Sequence, residues 1–138
     1  MKIIDFRPEH VLSIRPQACQ QYLDLTIAYG EYLMTGNCFT GIHAGEVVAI
    51  GGLLPVSDGR AYLHMIVSEG MPHQWTKLYR AASRLIGAVR DDYDRIETLS
   101  TTPEADRWLE MLGFEYEGTL RRVMPGGTDA KSYSIVRQ

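Results

Sequence analysis

Between residues 38 and 68 three strand-like stretches follow one another with only tight turns between them, and this run constrains the fold of the 138-residue chain more than any other feature. Residues 38–43 lead into Ala44-Gly45, residues 46–56 carry Val47-Val48-Ala49-Ile50, and Ser57-Asp58-Gly59 is a turn signal before 60–68. Turns this short join antiparallel neighbours. The last stretch sets Tyr62, His64 and Ile66 against Leu63, Met65 and Val67, so both faces are largely apolar, the pattern of a central strand. The next strand, 95–100, comes only after a helix over 74–90 with an apolar stripe from Trp75 through Leu78, Ala82, Leu85 and Val89. A strand reached through a helix pairs in parallel, so the sheet must be mixed.

The flanks extend this sheet. Ile3, Ile4 and Phe6 read as a first strand, and Pro8 can open a short helix through Ile14. The spacing of Ala18, Tyr22, Leu25, Tyr29 and Leu33 predicts a second helix over 17–34. Thr102-Pro103-Glu104 is a helix start, Trp108, Leu109 and Leu112 its buried face, and Gly113 its stop. Strands over 114–123 and 131–137 flank a turn at Pro125-Gly126-Gly127. The expected fold is therefore α/β (α+β). One domain spans 1–138, with a central mixed, mostly antiparallel sheet of about seven strands and about four helices.

Several function classes fall away. The net charge of -3 lacks the basic footprint of a nucleic-acid binder. No apolar run is long enough to span a membrane, and the N-terminus has no signal-peptide pattern, so a cytoplasmic protein is expected. Cys19 and Cys38 have no metal or redox spacing and are expected as buried thiols. His10, His43, His64 and His73 are scattered, so no metal site is expected. Neither a GxSxG elbow nor a phosphate-binding glycine fingerprint occurs.

The element order, together with Ala105-Asp106-Arg107-Trp108-Leu109-Glu110-Met111-Leu112-Gly113-Phe114-Glu115-Tyr116-Glu117-Gly118, resembles the GCN5-related N-acetyltransferases (GNAT). Ala49-Ile50-Gly51-Gly52 looks like that family's third strand. Arg95-Ile96-Glu97 and Trp108 to Phe114 resemble small GNAT-like proteins of tailed phages, the internal virion protein A group.

The resemblance implies an acetyl-CoA-dependent transfer to an amine held between the early helices and a split in the sheet. It implies pairing of the pantetheine arm with the fourth strand at Ile66 and Val67. It also implies phosphate binding at the following helix start, by backbone amides and the helix dipole. The corresponding residues are His73, Gln74, Trp75, Thr76, Lys77 and Arg80. This loop departs from the family pattern. Bulky His73, Gln74 and Trp75 stand where small residues are usual, Pro72 offers no N–H, and Glu69 opposes phosphate. Lys77, Arg80 and Arg84 fit a solvated basic face as well as a phosphate contact, and Trp75 fits core packing as well as filling the cofactor's space.

His64 and Glu69 are candidate bases, and His64 fits a core histidine equally. The family's usual tyrosine acid is replaced by Leu109, leaving Tyr116 or Tyr133 as substitutes. Two functions follow. One is an N-acetyltransferase acting on an unknown amine. The other is a GNAT-fold binding or virion-assembly module with a phage or host protein partner, virion-associated if phage-encoded.

Overall fold

The structure, a computed structural model, describes residues 1–71 and 75–138. Strands β1 (Lys2–Asp5), β2 (Asn37–His43), β3 (Glu46–Ser57), β4 (Arg60–Val67), β5 (Arg95–Ser100), β6 (Glu115–Leu120) and β7 (Ala130–Val136) form one sheet in the order β1-β2-β3-β4-β5-β7-β6. Every neighbouring pair is antiparallel except β4 and β5, which are parallel. This is the mixed, mostly antiparallel sheet expected from the tight turns and the single helical crossover.

Helices α1 (Ile27–Leu33), α2 (Trp75–Val89) and α3 (Pro103–Met111) cover the sheet. On one face Leu33 of α1 and Val11 and Ile14 of the N-terminal segment pack with Ile50, Leu54 and Ile66. On the other, Ile86 of α2 and Leu109 of α3 pack with Leu53, Leu63 and Ile96, and Leu78 packs with Val67. Alternation along β4 therefore sends Leu63 and Val67 toward α2 and Ile66 toward α1. The α3 start forms as its sequence predicts: the Thr102 hydroxyl accepts the Ala105 N–H at 3.1 Å, with Pro103 in the first turn. Among the described residues no helix is long and apolar enough to cross a membrane.

The N-terminal third differs most from the sequence expectation. The helix expected over 8–14 is a 3-10 turn, Pro8–Leu12, and the helix expected over 17–34 is broken. Only Ala18–Gln20 forms a 3-10 turn before α1 starts at Ile27, capped by the Thr26 hydroxyl, which accepts from the Tyr29 N–H at 3.1 Å. Residues 15–20 are held elsewhere: the Gln17 N–H donates to the Val67 carbonyl at 2.8 Å and the Glu69 N–H to the Arg15 carbonyl at 2.8 Å. Backbone bonds to β4 have replaced helical ones. Gly30 lets α1 lie against the first turn, since a Cβ there would stand 2.3 Å from the Pro8 carbonyl oxygen.

Two further expectations change. Cys19 is exposed rather than buried, because its turn lies outside the core, while Cys38 is half-buried with its thiol pushed up to about 12 by burial. Trp75 does not pack in the core: at the first position of α2 it is 45% exposed.

Candidate active site in the split between β4 and β5

β4 and β5 pair only at their first residues, Arg60 to Tyr62 against Arg95 to Glu97. That end is pinned by charge. Arg60 binds both carboxylate oxygens of Glu97, Arg95 reaches Glu97 at 3.3 Å, and Arg95 donates to both oxygens of Glu117 at 2.9 and 2.5 Å. The last link is a side chain. The Thr98 hydroxyl donates to the buried Leu63 carbonyl at 2.8 Å. Beyond it the strands diverge, because β5 stays paired with β7 and β4 with β3.

Divergence leaves the β4 edge without a neighbouring strand, and backbone groups so exposed need partners. The chain supplies them. The Gln20 side chain donates its Nε2 to the Met65 carbonyl at 2.5 Å and accepts the Val67 N–H on its Oε1 at 2.9 Å. One carboxamide thus occupies the edge as an added peptide group would. Gln17 and the Pro16–Ser68 bridge continue the seam.

The split opens into a cleft of about 620 Å³. Tyr22, Tyr29, Tyr62 and His64 line it on the α1 side, and Trp75 and Trp108 on the other. By strand alternation His64 shares the α1 face with Tyr62 and Ile66. It is 7% exposed, and neither ring nitrogen has a hydrogen-bond partner among the described residues. Burial lowers its pKa from 6.5 to about 4, so the ring is neutral at physiological pH. The Trp108 Nε1–H, across the sheet, is likewise buried without a described partner. Unpaired buried polar groups are costly and uncommon, and these two side chains both line the cleft.

Of the other expected site residues, Ile66, Val67 and Trp75 line the cleft with His64. Ile66 is buried against α1, and by alternation its backbone turns toward β3. Val67 does face the open edge, where Gln20 and Gln17 hold its backbone. His73 and Gln74 lie outside the described residues. Thr76, Lys77 and Arg80 are exposed on α2, outside the cleft lining, while Trp75 lines it. Glu69 is exposed after β4, apart from the cleft. Tyr116 is on β6, at the far edge of the sheet, with its hydroxyl 2.7 Å from Thr119 Oγ1. Tyr133 is buried in the core beside it. Leu109 is 5% exposed and borders the cleft. Among the described residues no cluster of His, Cys, Asp and Glu could hold a metal ion.

Sequence reasoning missed Gln20, Thr98 and the three tyrosines. Tyr22 and Tyr29 carried a signal, a helical period, and Tyr62 another, the alternation of a central strand, but both pointed to core. Gln20 carried none, because its role depends on a strand 45 residues away.

Solved structures share this fold. Ard1 from Thermoplasma volcanium superposes with a TM-score of 0.75 at 16% identity, covering 99% of this chain and 97% of that one. Aminoglycoside 6'-acetyltransferase type Ii gives 0.73 at 17% identity, covering 99% and 97%. A Bacillus subtilis acetyltransferase in complex with CoA gives 0.63 at 13% identity, covering 80% and 83%. The chain has the GNAT fold. No protein-family model matches the sequence, and no curated protein matches it.

Proposed function

We propose that the chain is an acyl-CoA-dependent N-acetyltransferase whose reaction centre is the β4/β5 split. The observation that carries this is His64: a neutral, buried imidazole with no partner for either ring nitrogen among the described residues, beside a cleft of about 620 Å³ in a GNAT-fold sheet. The β4 edge fits the cofactor's arm in chemical kind. Met65 offers an acceptor and Val67 a donor to an amide, which is how Gln20 binds there now.

When bound, acetyl-CoA supplies an acetyl group activated as a thioester. The protein's part is positioning and proton transfer. His64 would accept the N–H of the amine as that nitrogen bonds the acyl carbon and would pass the proton on to water, since burial leaves the imidazole a weak base, its pKa about 4. The thioester carbon–sulfur bond would break in the same exchange, the sulfur leaving with the electron pair. Leu109 offers no proton to that sulfur, and the arm has to displace Gln20 from Met65 and Val67. The exposed stripe of Lys77 and Arg80 is available to the cofactor's phosphates, beside a pyrophosphate loop that is degenerate in sequence.

Calorimetric titration with acetyl-CoA at low and moderate salt tests this. Micromolar binding, weakened in Lys77→Ala and Arg80→Ala, is expected. No binding at millimolar concentration, in wild type and in Gln20→Ala alike, overturns it.

One observation favours a second reading. Gln20 already satisfies the β4 edge, as suits a GNAT-fold binding or virion-assembly module that holds a phage or host protein and never takes the cofactor. The Gln20→Ala titration separates the two.

A further inference from the structure

We propose that Tyr22, Tyr29 and Tyr62 form an acceptor subsite for a primary amine carried on an aromatic or bulky apolar body, in preference to a polycationic amine. The proposal deepens the acetyltransferase reading and rests on it for the word acceptor; the binding itself does not depend on catalysis.

Three different elements bring the rings together. Tyr62 stands on β4 at the last residue paired with β5, Tyr29 on α1, and Tyr22 in the loop after the 3-10 turn that Gln20 anchors. All three line the cleft. They are near enough to act on one another: Tyr29 has its pKa raised by burial and then by Tyr22 and Tyr62, and Tyr62 by burial and, more weakly, by Tyr22. The rings therefore stay protonated and present neutral aromatic surface. Leu23 adds an apolar side chain.

His64 follows Tyr62 by two residues on the same strand face. A body held between the tyrosines thus brings its amino group to the imidazole. One ring nitrogen of His64 can accept an amine N–H, a partner that no described residue supplies to this buried side chain.

The charge pattern excludes the alternative class. Among the described residues lining the cleft, the charged ones are Glu104 and Arg107, both on α3 and of opposite sign. A polyamine or aminoglycoside needs several carboxylates to offset the desolvation of several ammonium groups. A single ammonium on an apolar body needs only aromatic faces and one acceptor.

The test is titration of the full chain with phenethylamine, spermidine and kanamycin at about 0.15 M salt. Phenethylamine is expected to bind about tenfold or more tighter than either polycation. Tyr22→Ala, a change at a residue 48% exposed and outside the core, is expected to weaken phenethylamine binding about fivefold and to leave spermidine unchanged. Tyr62→Phe keeps the ring and is expected to keep the affinity. Equal or tighter binding of spermidine or kanamycin overturns the proposal, as does a Tyr22→Ala variant that binds phenethylamine like the wild type. Acetyl-CoA titrated into the same sample tells the two failures apart. Selective phenethylamine binding without acetyl-CoA binding supports the subsite and removes the enzyme reading. Acetyl-CoA binding without amine selectivity overturns the subsite alone.

Discussion

The same two strands, β4 and β5, behave in opposite ways along their length. At the closed end their backbones pair, Arg60, Glu97, Arg95 and Glu117 interlock across the sheet, and Thr98 ties the last carbonyl. At the open end, a few residues on, the ring of His64 is buried without a described partner and the β4 edge borrows a side chain from residue 20. The closed end satisfies its polar groups and the open end defers some of them. A sheet gains stability from the first arrangement, and a binding site needs the second.

The largest effect expected from breaking this contrast is at His64. His64→Leu should lower the acetylation rate by about 10²–10⁴-fold. It should leave the unfolding free energy unchanged or higher, because it removes a buried polar group that has no partner among the described residues. Steady-state kinetics beside urea unfolding check both. A large loss of stability would mean that His64 is a structural residue.

Acid comes next. Unfolded His64 takes up a proton near pH 6.5 and the folded chain does so only near 4, so the unfolded state binds more protons in between. Stability should hold above pH 6.5 and fall by about 3 kcal/mol as pH drops through that window. The His64→Leu variant should lose this slope. Carboxylates such as Glu97, held below their usual 4.5 chiefly by the Arg60 hydrogen bond, act at lower pH and should not mask it. Urea unfolding at stepped pH reads the difference.

Thr98→Val sharpens the boundary between the two ends. It keeps the shape, removes the donor to Leu63 and leaves a buried carbonyl unpaired, which should cost about 1–2 kcal/mol. Hydrogen exchange should show the opening begin closer to the Arg60–Glu97 pair. The smallest effect is expected at Gln20. Gln20→Ala frees Met65 and Val67, and acetyl-CoA should bind about fivefold tighter. Weaker binding would mean that Gln20 braces the cleft instead of filling it.

The split was legible in the sequence only as a consequence of the fold class. Hairpins before residue 68 and a helix after it force β4 to meet β5 in parallel. His64 was visible as a titratable side chain on an apolar strand, though periodicity alone could not tell a core histidine from a reactive one. The basic stripe at Lys77, Arg80 and Arg84 was visible too, and it is exposed. Of the two roles open to Trp75, core packing fails, because a helical stripe does not reveal where along the helix burial begins.

What the sequence determined by itself is local in origin. Turn residues at Ala44-Gly45 and Ser57-Asp58-Gly59 set the antiparallel strands, and Thr102 with Pro103 set the start of α3. What the tertiary structure decided is everything that needs a distant partner. A helical period over 17–34 gave way to a seam on β4, because an unpaired strand edge satisfies backbone and side-chain bonds that a short isolated helix holds only weakly. That exchange sets Gln20 on the strand edge and places Tyr22 and Tyr29 on the wall of the cleft.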